Sequence, residues 1–431
     1  MVSGQQSWLT TDHWPLTTEE YVSQDIQTHT LANGLTLLAE RMPHVRSAAF
    51  HIMVPAGAAN DPAGKFGLAG LICDLMTRGA GDRDSRQLSD ALDRLGVDRG
   101  ESAGTLNVQL SGATLARNLL PTLAIYADVL QRPHLPADEL DAAKSLSLQD
   151  IQSTEDEPQR KVMIELRKRY YPEPLGRDQR GTVEGVNAVT IEDVQKQHAA
   201  LYHPRDVILA VAGDVDWRTL KGEVERLFGD WKPRERAAVT PRPMAPRSDH
   251  LTKEIDQTQI ALAFPSVPIG HADFYNARGA VGVLSQDMSS RLFTNVREKH
   301  GLCYSVYASY ETFKDRASIV GYAGARPELA QETLDRTLDE FRTLVNGIEQ
   351  DELDRVKVGL KSALIMRQES TGARSGAIAS DWYFLGRVRP LEEIQEAIDG
   401  MSVPGVLGYL QRNPAKDFTV VTLGPASLRL N

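Results

Sequence analysis

Apolar positions recur along this chain with two periods, about two and about 3.6 residues, and the alternation of the periods predicts both strands and helices. The run LANGLTLLAER, residues 31–41, reads as a strand behind an Asn-Gly turn, and SAAFHIMVPAG, residues 47–57, as a second strand ending in a turn. Residues 65–78 read as a helix. Leu68, Leu71, Ile72, Leu75 and Met76 form one apolar stripe, with Gly70 and Asp74 on the opposite side, Cys73 on the flank and Gly79 as the C-terminal stop. DSRQLSDALDRLG is a second amphipathic helix ended by Gly96, and TLNVQLSGATL is a strand. Helical stretches are expected over residues 113–131 and 136–153. DVILAVAGDVD is a buried strand, and a helix starts at WRTLKGEVERLFGDW.

At residue 232 the period is lost. KPRERAAVTPRPMAPRSDH, residues 232–250, is rich in proline and charge and reads as a linker. The pattern then starts again. QTQIALAFPSVP is a strand and turn, ARGAVGVLSQDMSSRLFTNVREKHG is one or two helices ending at Gly301, and LCYSVYASYETF and ASIVGYAGA are strands. NPAKDFTVVTLGP near the end echoes HPRDVILAVAGDV near the end of the first half. The expected fold class is α+β, in two homologous halves, each a mixed, mostly antiparallel sheet packed with helices. The expected organisation is an N-terminal extension over 1–25, a first domain over 26–231, the linker over 232–250 and a second domain over 251–431. A length of 431 residues suits two domains.

Composition narrows the function. A net charge of −10 argues against general nucleic-acid binding. Cys73 and Cys303 are the two cysteines, too few for a disulfide framework or a cysteine zinc site. No apolar run is long enough for a membrane span. The N-terminus has neither the basic nor the apolar region of a secretory signal, so the expected location is the cytoplasm. His198 and His203 are off the i, i+4 register of a metal pair and read as structural or exposed.

FGLAGLICDLMTRGAG resembles the metal-site helix of the pitrilysin and mitochondrial processing peptidase family. The order of landmarks agrees from about residue 26 onward: NGLTLL, AGAAND, this helix, LDRLG, TLNVQLSG, YHPRDVILAVAGDVD, the linker and a second half. The resemblance implies the two-domain subgroup of these inverted zincins. Active members carry His-x-x-Glu-His on this helix, two zinc ligands with the general base between them, and a third ligand on a later helix. Carried over, those positions are Gly70, Cys73, Asp74 and, in PADELDAAKSLSLQDIQ, Ala143. A catalytic zinc needs three protein ligands and an open position for water, and this set does not supply them. Cys73 reads as a small buried apolar group rather than a nucleophile.

The other match is SSRLFTNVREKHGLCYSVYASY. There the resemblance implies an Arg and a Tyr, here Arg297 and Tyr304, that reach toward a zinc site in the other half or in a partner subunit. Guanidinium and phenol donors can bind a substrate backbone and a developing oxyanion. The glycine-rich loop of the subunit that binds targeting peptides is missing, since STGARSGAIAS lies elsewhere, at residues 370–380. The expected function is therefore a zinc-less subunit of a zinc-dependent peptidase heterodimer. A homologous partner would supply the zinc, and an unfolded peptide would be the substrate. The alternatives are a structural subunit without proteolysis, such as the core subunits of a respiratory complex resemble, and a homodimeric peptide-binding protein.

Overall fold

A computed structural model describes residues 24–430 except 243 and 246. Residues 1–23, which hold most of the expected N-terminal extension and the stretch read as lacking a signal, lie outside the described residues. No helix among the described residues is long and apolar enough to cross a membrane.

The first half opens with β1 (Asp25–Thr30), β2 (Thr36–Arg41) and β3 (Ser47–Val54). Helix α1 (Leu68–Leu75) follows, then the small hairpin β4 (Gly79–Ala80) and β5 (Arg83–Asp84), and α2 (Ser85–Arg94). Strands β6 (Asp98–Ala103) and β7 (Val108–Leu115) lead into five helices: α3 (Leu119–Gln131), α4 (Leu140–Ser153), α5 (Pro158–Tyr170), α6 (Val183–Ala188) and α7 (Ile191–Leu201). Strand β8 (Ile208–Gly213) and α8 (Trp217–Phe228) complete it. The second half holds β9 (Asp249–Thr252), β10 (Thr258–Ser266), α9 (Phe274–Ser285), β11 (Cys303–Thr312) and β12 (Ala317–Ala325). Its remaining elements are α10 (Ala330–Thr343), α11 (Gln350–Gln368), α12 (Thr371–Leu385), α13 (Leu391–Asp399), α14 (Val403–Arg412) and β13 (Thr419–Gly424).

The two sheets share one strand order apart from β1, which has no counterpart in the second. The first runs β1-β2-β8-β3-β7-β6 and the second, read in the same direction, β9-β13-β10-β12-β11. In each, one parallel pair, β2 with β8 or β9 with β13, sits beside an antiparallel array. The echo between the strand ends extends to the backbone: Asp206 and Asp417, each two residues before its strand, adopt φ of 63° and 55°. Asp tolerates that left-handed conformation better than most residues. The fold is thus mixed α and β in two sheet-containing halves, and β6 and β11 are equivalent open edges.

The halves also exchange a helix. Val162 and Leu166 of α5 pack on Ala261, Ala263, Val320 and Val421 of the second sheet. Ile378 and Ala379 of α12, the equivalent helix, pack on Leu38, Met53, Ile208 and Ala210 of the first. A buried ion pair pins α12 there: Arg374 donates to Glu40, with N–O distances of 2.7 and 2.8 Å.

Several expected boundaries move. Helix α1 starts at Leu68, not residue 65, because Gly67 turns left-handed and the Asp61 carboxylate accepts the N–H groups of Gly67 and Ala69 at 2.8 and 2.9 Å. It ends at Leu75. Gly79 is therefore no helix stop; it enters β4 at φ 114°, with His134 Nδ1 where a Cβ would lie. Residues 113–115, expected to be helical, continue β7 along β3, and α3 begins at Leu119. Helix α4 begins at Leu140, after a 3-10 turn at Ala137–Glu139.

Candidate functional site

The helix expected to carry metal chemistry, α1, packs against α4. A Cβ added at Gly70 would meet nothing within 4 Å, so this position opens onto free space and offers no ligand. Cys73, on the flank of the helix, turns inward: it is 5% exposed and belongs to the same core as Ala143 of α4. Burial, helped by the Glu101 and Asp74 carboxylates, pushes the Cys73 thiol up to about 12. A thiol in that state is no nucleophile near neutral pH. Asp74 is taken: its carboxylate accepts from Arg78 one turn on, at 2.9 and 3.1 Å, and Arg78 also donates to Glu139 at 2.6 Å. This cationic clamp went unread in the sequence, although Asp74 and Arg78 have the i, i+4 spacing of a helix ion pair.

Further along α4, the Asp150 carboxylate is paired with Arg160 at 3.0 Å. Among the described residues no group of three or more His, Cys, Asp and Glu could hold a metal ion. The four positions that the resemblance assigns to the zinc site, Gly70, Cys73, Asp74 and Ala143, do not fit zinc: two lack a ligand atom, one is a buried neutral thiol and one is in an ion pair. His198 and His203 are both buried, and burial lowers each imidazole to about 4.

Arg297 and Tyr304 are brought together. The segment expected to be an ordinary helix end is a π-helix, Leu292–Lys299, with Arg297 in its last turn. Gly301, at φ 61°, donates its N–H to the Arg297 carbonyl at 3.0 Å and turns the chain into β11. The β11–β12 register slips between Cys303 and Ser305, so Tyr304 is an unpaired bulge residue. A bulge re-aims a side chain, and Tyr304 is 76% exposed. The Arg297 guanidinium lies 5.2 Å from the Tyr304 ring centroid and 4.7 Å from that of Phe293. Stacked between two aromatic faces, it makes no ion pair with the described residues, so its donors remain available.

Two family models match the chain. Residues 36–183 match the model described as Insulinase (Peptidase family M16), and residues 188–360 match the one described as Peptidase M16 inactive domain. An uncharacterized zinc protease of Rickettsia felis is 25% identical over 401 residues, covering 93% of this chain and 97% of that protein. The same fold is seen in a peptidase M16 inactive domain from Pseudomonas fluorescens, with a TM-score of 0.85 at 22% identity, covering 94% of this chain and 99% of that one. A chain of Complex III2 from Candida albicans shares it as well, with a TM-score of 0.81 at 17% identity over 94% of this chain and 97% of that one. Matched by one model of the family in each half, and by landmarks in the same order, this chain belongs to the pitrilysin-like M16 family of peptidases.

Proposed function

We propose that this chain is a zinc-less subunit of a zinc-dependent peptidase heterodimer. A homologous partner carries the zinc site, and Arg297 and Tyr304 of this chain complete it around an unfolded peptide. The observation that supports the reading most is the contrast within one molecule: the metal-site positions are filled by an ion pair, a buried thiol, glycine and alanine, while Arg297, half-buried, and Tyr304, exposed, stack on each other with no hydrogen bond or ion pair to the described residues. Arg297 binds the substrate carbonyl and the oxyanion that develops when water adds to it, and Tyr304 supplies a second donor. This chain's residues orient the peptide, and the hydrolytic water belongs to the partner. The test is reconstitution. The chain alone cleaves no peptide, and zinc at one per chain by elemental analysis would overturn the reading.

A second reading is a subunit of the same family with no proteolysis in its assembly. The fold shared with a chain of Complex III2 favours it. The two part on one observation: a co-purifying homologue with an intact His-x-x-Glu-His supports the peptidase pair, and an assembly without one supports the second reading.

A further inference from the structure

Helix α11 carries an apolar stripe on its outward face. Val358, Ile365 and Met366 are 65, 46 and 68% exposed, and with the exposed Ser362 they stand at i, i+4, i+7 and i+8, one side of a helix. The opposite face does the ordinary packing. Leu353 and Val356 are buried in the core of the second half, and Leu360 and Leu364 pack against it. The outward face begins with Asp351 and Asp354, so its apolar character is confined to the C-terminal half of the helix. A contiguous exposed apolar stripe marks an interaction surface.

Beside that half stand two cations without an acid. Arg278 of α9 and Arg367 of α11 make no hydrogen bond or ion pair with the described residues. Burial holds the Arg278 guanidinium below its ordinary value, and the nearby charge of Arg367 adds to the effect. Half-buried charges are normally paired, and here the acid is missing.

The described structure begins at this same place. The Leu391 N–H, at the start of α13, donates to Gln24 Oε1 at 2.7 Å. Gln24 Nε2 donates at 2.7 Å to Glu40, the carboxylate that holds Arg374 of α12. Arg389, just before α13, donates to Tyr275 at 3.0 Å, one turn of α9 from Arg278. Helix α13 lies along α11. Ile394 packs against the core that Leu360 and Leu364 also meet, and at the far end Asp399 pairs with Lys361 and accepts from Lys357 at 2.8 Å. At about 1.5 Å per residue α13 is about 13 Å long. At about 3.3 Å per residue the chain from Gln24 back to Trp8 spans up to about 50 Å, ample to run the length of the stripe.

The sequence before Gln24 complements both features. Residues 1–23 hold Asp12, Glu19 and Glu20 and no Lys or Arg, against an unpaired cation pair, and Trp8, Leu9, Trp14 and Leu16, against an apolar stripe. The two glutamates lie nearest Gln24, as the cations do, and the tryptophans farther back. We infer that residues 8–20 dock on α11 of the same chain, with Glu19 and Glu20 on Arg278 and Arg367 and the Trp8 and Trp14 rings on Val358, Ile365 and Met366. Tryptophan rings bury a large apolar area for few rotatable bonds. The cover is intramolecular, so it closes this face in the free chain. It is independent of the proposed peptidase reaction.

The test is hydrogen–deuterium exchange of the full chain, read by mass spectrometry. Trp8→Ala with Trp14→Ala leaves the described fold untouched and is expected to speed exchange over residues 358–368 at least fivefold, with residues 158–170 of α5 unchanged. Glu19→Lys with Glu20→Lys should act in the same direction, and adding Arg367→Glu, which restores an opposite charge, should lower the rise to about twofold. Exchange over 358–368 within twofold of wild type in the tryptophan variant overturns the inference. A rise that Arg367→Glu does not lower overturns the charge contact. Light scattering on the same samples covers the other occupant: a wild-type dimer that Met366→Asp converts to monomer overturns the inference by giving the stripe to a second copy.

Discussion

The two halves of this molecule share a strand order but keep opposite chemistry. In the first half, the segment that resembles a catalytic helix has become structural. Asp61 holds its start, Cys73 is in the core, and Arg78 ties Asp74 to Glu139. In the second half, the segment that carries Arg297 and Tyr304 departs from regular geometry twice, by a π-helix and a bulge, and presents two donor groups that no described residue consumes. Irregular backbone is costly, and it persists where the surrounding structure holds it for a purpose.

That contrast depends on the halves acting as one rigid pair, and the largest expected effect comes from loosening them. Arg374→Ala would strand Glu40 as an uncompensated charge in the seam, 5% exposed. The expected loss is about 3–5 kcal/mol, read as a lowered midpoint in denaturant. A loss under about 1 kcal/mol would mean that α12 is held on the first sheet by its apolar contacts alone.

The next effect concerns the start of α1. Burial raises the Asp61 carboxyl from 3.8 to about 6, against the N–H groups of Gly67 and Ala69 and the charge of Arg177, which lower it. The folded protein therefore holds the proton more tightly than the unfolded chain. The stabilisation is fully present below pH 4 and is lost as pH rises through about 6, by up to about 3 kcal/mol at about 1.4 kcal/mol per pH unit. The stability difference between wild type and Asp61→Asn should follow that curve in urea titrations from pH 4 to 7. A difference that does not change with pH would show that Asp61 is not a buried acid.

How much of this was legible in the sequence follows the same division. The apolar stripe of α1, the strands on either side of it and the Arg–Gly–Tyr corner all stand in the local pattern, because short-range periodicity and glycine stops encode them. The burial of Cys73 agrees with its reading as a small apolar group, but the core it joins, with Ala143 of α4, was not legible, because that partner lies far along the chain. The exchange of α5 and α12 was not legible either. Residues 158–170 and 371–385 have weak amphipathic patterns, and their partners lie in the opposite half. The edge strand β6, DRGESA, is polar on both faces and carries no apolar alternation to find. The bulge at Tyr304 depends on pairing with β12, which no local stretch specifies.

The smallest expected effect refines the second half. Tyr304→Phe keeps the ring under Arg297 and removes one hydroxyl donor. If that donor serves the substrate, kcat/KM of the reconstituted heterodimer should fall about tenfold, about 1.4 kcal/mol. No change would leave Tyr304 as a platform for Arg297 alone.

The most direct measurement is kcat/KM for an unfolded peptide, with the zinc-bearing homologue assembled on wild-type or Arg297→Ala chain and assembly verified by size-exclusion chromatography. The account predicts an intact complex, zinc in the partner alone, and a fall of about 10²–10³, the cost of removing one oxyanion donor. An intact complex with unchanged kcat/KM would contradict it.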